Sequence, residues 1–126
     1  MELNHDCVRE TLLEIEKTKQ IGQPLNDSNF GDNIIFEKYG FDTVMYTLLK
    51  LRDANYLDFK VKFSDGEIFY WSIGDITWDG HEFLDNVRDN KVWSKVKEVA
   101  KDSSSMSVNL LGKLAFQYLM MKFNLT

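Results

Sequence analysis

Between residues 41 and 85 the spacing of apolar residues changes from helical to strictly alternating and back to helical, with few residues left over for connections. Asp42 is a predicted N-cap, and Val44, Leu48 and Leu51 follow at helical spacing, with Met45 and Leu49 widening the stripe. A core-facing helix is expected there, ending near Ala54-Asn55, where Asn can take the left-handed conformation that closes a helix. Residues Asp58 to Phe63 then alternate polar and apolar, the pattern of a strand with one wet face. Ser64-Asp65-Gly66-Glu67 supplies a Gly for a tight turn, and Ile68 to Ile73 suits a second strand, so the two form a predicted β-hairpin. Thr77 can cap another helix with Phe83, Leu84 and Val87 on its apolar side, and Glu82 lies slightly beyond the capping-box position. Helix, hairpin, helix in that order predicts a winged-helix-like α+β domain with its wing over residues 57–73.

Ahead of this stretch, Asn4 to Lys19 predicts a first helix with Asn4 as cap and Val8, Leu12 and Ile15 on one stripe. From Gly22 to Asn33 the single Pro, two Gly and the run Asn26-Asp27-Ser28-Asn29 favour turns and loop, and mark the segment expected to move most. Residues Asn33 to Tyr39 allow two readings: a short strand pairing with the hairpin, or the first helix of a helix-turn-helix ending at Gly40. The β-branched pair Ile34-Ile35 and the brevity of the run favour the strand.

After the hairpin, Asp89-Asn90 offers a break and a cap. Val92, Trp93, Val96, Val99 and Ala100 form an apolar side opposite Lys91, Lys95 and Glu98. A polar break at Asp102 to Ser105 precedes a dense run of Leu110, Leu111, Leu114, Ala115, Tyr118, Leu119 and Phe123, with Met106, Met120 and Met121 nearby. A terminal helix this apolar is either sunk among several neighbours or used across a homodimer interface, for which Leu111, Leu114, Tyr118 and Met121 are the candidates. With 126 residues and 44% hydrophobic content, a single domain spanning residues 1–126 is expected, with a core at 1–88 and a helical extension at 89–126.

The formal charge of -5 argues against a chain that coats nucleic acid or anionic membrane by bulk electrostatics. No apolar run approaches the roughly 20 residues of a membrane-spanning helix, and the N-terminus carries Glu2 and Asp6 where a signal peptide would be basic, so a cytoplasmic protein is expected. Cys7 stands alone and reads as a small buried hydrophobe.

Motifs of chemistry are sparse. His81 and Asp85 lie one helical turn apart, but the zinc-protease pattern needs a second His where Asp85 stands, and His5 is far off in sequence. No phosphate loop, nucleophile elbow or spaced Cys pair is present, so neither enzyme activity, metal nor cofactor is expected. Trp71, Trp78 and Trp93 read as core residues.

Two functions remain. In the first, a DNA-binding regulator or adaptor uses Thr43, Tyr46, Thr47 and Lys50 on the outer face of the Asp42 to Asn55 helix, with Lys60 and Lys62 on the wing. Against it, residues 50 to 67 hold Lys50, Arg52, Lys60 and Lys62 but also Asp53, Asp58, Asp65 and Glu67, a net charge of zero. The second is a protein-interaction module engaging a host protein through the C-terminal helix or the aromatic hairpin.

Three segments also resemble a known family: Asn4-His5-Asp6-Cys7-Val8-Arg9, Ile76-Thr77-Trp78-Asp79-Gly80-His81-Glu82-Phe83-Leu84-Asp85, and Arg88-Asp89-Asn90-Lys91-Val92-Trp93. They are similar to the prophage-associated proteins grouped as domain of unknown function 2513, and the likeness spans nearly the whole chain. It implies a small bacterial or phage protein in which Thr77, Trp78, Gly80, His81, Glu82, Phe83 and Asp85 form a structural motif. Members have Y-H and then L-x-x-A-G-L-I in the central helix; here Thr47 replaces the His and Asn55 the Gly, and Asn still permits the left-handed corner.

Overall fold

The computed structural model describes residues 1–101 and 107–123. Among them the order is α1 (His5–Thr18), β1 (Leu25–Asn26), α2 (Asp27–Phe30), α3 (Ile34–Tyr39), α4 (Phe41–Asp53), β2 (Leu57–Ser64), β3 (Glu67–Ile76), α5 (Trp78–Val87), α6 (Asn90–Lys101) and α7 (Val108–Lys122). The strands form one antiparallel sheet in the order β1-β3-β2, which makes the protein α+β. The chain divides into two compact units, Met1–Gly80 and His81–Thr126, and the division falls within α5.

In the first unit, the Asn4 side chain accepts from the Cys7 amide at 2.9 Å and starts α1, whose Val8, Leu12 and Ile15 are buried. α4 buries Val44, Met45, Leu48 and Leu51 and packs on α1, α3 and β2. It closes at Asn55, whose φ of 61° turns the chain into β2 as expected. The hairpin turn places both Asp65 (φ 52°) and Gly66 (φ 79°) in the left-handed region, matching the twist of the flanking strands. Inside the sheet, Val61 lies opposite Trp71 and Phe59 opposite Ile73. Phe59, Trp71 and Ile73 are buried.

The strand expected at Asn33 to Tyr39 is a helix, α3. The Asn33 side chain accepts from the Ile35 amide at 3.0 Å, and Gly40 ends the helix at φ 85°, a conformation that a side chain would strain. Phe36 then sits among three rings, 6.1 Å from Phe30, 6.2 Å from Phe41 and 5.8 Å from Trp71. That packing outweighs the weak β preference of two adjacent Ile residues. The third strand comes instead from Leu25–Asn26, inside the segment expected to be loop, where Leu25 pairs with Ile73 and Asn26 with Ser72.

In the second unit, Asp89 caps α6 by accepting from the amides of Lys91 and Val92 at 2.9 and 3.0 Å. These two bonds hold its carboxyl below the ordinary value of 3.8. Val92, Trp93 and Val96 are buried on α6, whereas Val99, expected on the same side, is half exposed. Ser107 caps α7, which buries Leu111, Gly112 and Ala115. The polar break at Asp102 to Ser105, together with Met106, lies outside the described residues. No helix among the described residues is long and apolar enough to cross a membrane.

Candidate functional site

The six residues expected to read DNA do not behave as a set. Thr47 is fully buried; its hydroxyl donates to the Thr43 carbonyl at 2.8 Å and lies 3.3 Å from Cys7 Sγ. It therefore belongs to the α1–α4 contact, correcting its placement on the outer face. At 3.6 residues per turn, the side of α4 away from Val44, Leu48 and Leu51 carries Asp42, Tyr46, Leu49, Lys50 and Asp53. Lys50 sits over the Tyr46 ring at 5.3 Å and 3.6 Å from Asp53, so its charge is answered locally. Lys60 lines a cleft with Lys19, Arg52, Asp58 and Asp75, in which Lys19 pairs with Asp75 at 3.1 Å. Lys62 stands across from Tyr70 on the hairpin. None of Thr43, Tyr46 or Lys50 lines the Lys60 cleft.

The motif around residues 77–85 acts chiefly at a corner. Thr77 donates its hydroxyl to the Asn55 carbonyl at 2.6 Å, accepts from the Gly80 amide at 3.0 Å, and donates its own amide to the Tyr56 carbonyl at 3.0 Å. One residue thereby caps α5 and ties it to the α4–β2 turn. Gly80 is buried against the Tyr56 carbonyl, where a Cβ would collide, so the first turn of α5 needs Gly for close approach. The phenol of Tyr56 is pushed up by burial and by the nearby Asp79 carboxylate.

Farther along α5, Phe83, Leu84 and Val87 point inward, while Trp78, His81, Glu82 and Asp85 are exposed and Asp85 pairs with Arg88 at 2.8 Å. Trp71 and Trp93 are buried as expected, but Trp78 is 80% exposed. The cap at Thr77 sets the phase of α5, and that phase puts Trp78 on the side opposite Val87. Among the described residues no group of three or more His, Cys, Asp or Glu is placed to hold a metal ion.

A groove of about 420 Å³ lies at the outer end of the hairpin, lined by Asn26, Asp27, Ser28, Phe41, Ile68, Phe69, Tyr70 and Trp71. Its floor continues into the Phe30, Phe36, Phe41 and Trp71 ring cluster. Phe69 and Tyr70 on β3 are 66% and 45% exposed and Phe41 at the start of α4 is 43% exposed, a concentration of accessible rings around one groove. The aromatic hairpin was legible in sequence; the opposite wall at Asn26 to Ser28 was not, because a strand of two residues leaves no periodic signal.

In the second unit, Leu114, Tyr118 and Met121 line an apolar groove with Lys95, Val96, Val99 and Gln117. Leu111, the fourth expected interface residue, is 1% exposed and belongs to the interior instead. On α7 it shares a side with Leu114 and Tyr118, three and seven residues on, and differs from them in being fully covered.

These features define a small α+β protein with a capped helical corner and an aromatic hairpin groove. The family model described as "Hypothetical protein (DUF2513)" matches residues 2–107, and the chain belongs to that family. It is 27% identical over 124 residues to an "Uncharacterized protein" of Haemophilus influenzae, a match covering 91% of this chain and 92% of the relative. No solved structure matches it.

Proposed function

We propose that this chain is a non-catalytic protein-interaction module built on a winged-helix-like scaffold. The scaffold reading rests on the sequence of elements: α1, a short β1, α3 and α4 joined through Gly40, then the β2–β3 hairpin in a sheet ordered β1-β3-β2. The functional reading rests on one contrast. The exposed side of α4, where such a scaffold meets a DNA groove, carries Asp42 and Asp53 against Lys50 and Arg52, with no net positive charge, while the hairpin and Phe41 present accessible rings. Duplex DNA asks for clustered positive charge. Protein partners take Tyr, Trp and Phe into pockets near the centre of an interface.

Two measurements on the full chain test the proposal. Fluorescence anisotropy with a mixed-sequence duplex across a salt series is expected to give no salt-dependent binding. A steep salt slope abolished by Lys50→Glu, Lys60→Glu and Lys62→Glu together would restore the DNA-reading regulator. Affinity capture from the bacterial host is expected to retain a partner protein that is lost with Phe69→Ser and kept with Lys50→Glu. Light scattering in the same buffers reads whether Met121→Glu, in the α7 groove, changes the oligomeric state.

A further inference from the structure

β3 continues where β1 stops. β1 pairs only with Ile73 and Ser72, whereas β3 runs from Glu67 to Ile76. Continued in the same antiparallel register, residue 27 would face Trp71 and residue 28 would face Tyr70. Local side-chain bonds divert the chain instead. The Asn26 amide donates to Asn29 Oδ1 at 2.7 Å, the amide and hydroxyl of Ser28 donate to Asn26 Oδ1 at 3.0 and 2.6 Å, and Asn29 Nδ2 donates to the Pro24 carbonyl at 3.0 Å. These bonds start α2 and satisfy groups that would otherwise pair with β3. Among the described residues, the edge of β3 from Ile68 to Trp71 has no strand on that side, and the aromatic groove opens along it. Four residues at about 3.4 Å each make this edge long enough for a short strand, with α2 packed against β3 beside it.

The charge around this edge has one sign. Asp27 lines the groove, Asp42 follows Phe41, and Glu67 precedes Ile68; all three are exposed and none makes an ion pair among the described residues. The nearest hairpin base, Lys62, is on β2, roughly 4.8 Å farther from the open edge by strand spacing. An unpaired main-chain edge, a ring-lined floor and an acidic rim each specify part of an occupant.

We propose that the Ile68 to Trp71 edge takes an extended segment of a partner protein as a fourth strand, one in which apolar residues alternate with Lys or Arg. The proposal rests on the protein-interaction reading and names the partner's chemistry. The segment's main chain pairs with β3, its apolar side chains pack against Phe41 and Phe69, and its cations answer Asp27, Asp42 and Glu67. An acidic segment meets like charge in the same place.

The test uses the full chain and three labelled octapeptides of sequence Gly-Lys-Val-Lys-Val-Lys-Val-Gly, the same with Glu for Lys, and the first with its Val amides N-methylated. At low salt the Lys peptide is expected to bind, with its largest amide shifts at Ile68 to Trp71 in nitrogen-15 spectra. The Glu and N-methyl peptides are expected to bind at least about tenfold more weakly, since one loses the charge match and the other the ladder. The exposed double reversal Asp27→Lys with Glu67→Lys is expected to cost about tenfold while leaving the circular dichroism spectrum unchanged. Equal binding of the three peptides, shifts elsewhere, or no binding at all overturns the strand-edge site. If a captured partner is still lost with Phe69→Ser, the interaction reading survives that failure; if it is not, both fall.

Discussion

Gly80→Ala puts the α5 corner to the test. A Cβ there falls inside contact distance of the Tyr56 carbonyl oxygen, 3.0 Å from the Tyr56 carbonyl carbon and 2.8 Å from Ile76 Cγ2. The first two are backbone atoms, and the same oxygen accepts from the Thr77 amide at 3.0 Å, so it cannot retreat without giving up that bond. Accommodating one methyl in a closed contact costs roughly 2 kcal/mol. Losing or stretching the Thr77 bond adds about 1 kcal/mol. The better helix propensity of Ala returns about 1 kcal/mol. The net is a destabilisation of about 2 kcal/mol, or on the order of 8 °C in Tm for a chain of this size. Thermal melts and urea titrations followed by far-ultraviolet circular dichroism measure it, with the urea slope unchanged if only the folded state suffers. A variant as stable as the parent, or stabilised by its added helix propensity, would refute the close approach. Gly112→Ala makes a useful contrast, because its Cβ would meet ring atoms of the Phe83 side chain at 2.9 and 3.3 Å rather than backbone, and a smaller loss is expected.

Three more outcomes follow from the same geometry. Thr47→Val keeps the shape of a buried side chain and removes one hydroxyl, so stability should change by about 1 kcal/mol or less in urea titration. Thr47→Lys buries an ammonium beside Cys7 and is expected to cost roughly 3 kcal/mol or more; enhanced duplex binding by a folded Thr47→Lys protein would contradict the burial found here. At the α4–β2 corner, Asn55→Val forces a β-branched residue to φ 61° and should lose about 1 to 2 kcal/mol by thermal melt, while Asn55→Gly should match or slightly exceed the parent. Asp89 holds its carboxylate in the α6 cap, so its contribution is complete above the ordinary value of 3.8 and is lost as pH falls through the depressed one. Asp89→Ala should remove that part of the acid dependence, read as ellipticity between neutral and acid pH.

Much of the first unit was legible because its signals are local. Asn4 and Thr77, like Asp89 in the second unit, were recognisable caps, since a side-chain acceptor next to an apolar stripe bonds the amides of its own first turn. The strict alternation from Asp58 to Phe63 and the Asp65-Gly66 turn specified the hairpin without reference to the rest of the chain. Asn55 marked the corner because few other residues tolerate a left-handed backbone. The family likeness was carried by three segments, residues 4–9, 76–85 and 88–93.

What tertiary packing decided is what those local rules leave open. A helical face can be assigned by period, but which of two flanking positions is covered depends on the neighbour that arrives. Thr47 went inward because α1 brought Cys7 against it. Residues 34–39 became helix because Phe36 found three aromatic rings at the right distance, two of them nearby in sequence and the third, Trp71, brought in by the hairpin. The open edge of β3 exists because Asn26 and Asn29 turn β1 away after two residues. Composition, caps and periodicity thus determined the longer elements of this protein; packing decided α3, which faces are covered and where an accessible edge remains, because burial depends on the whole chain.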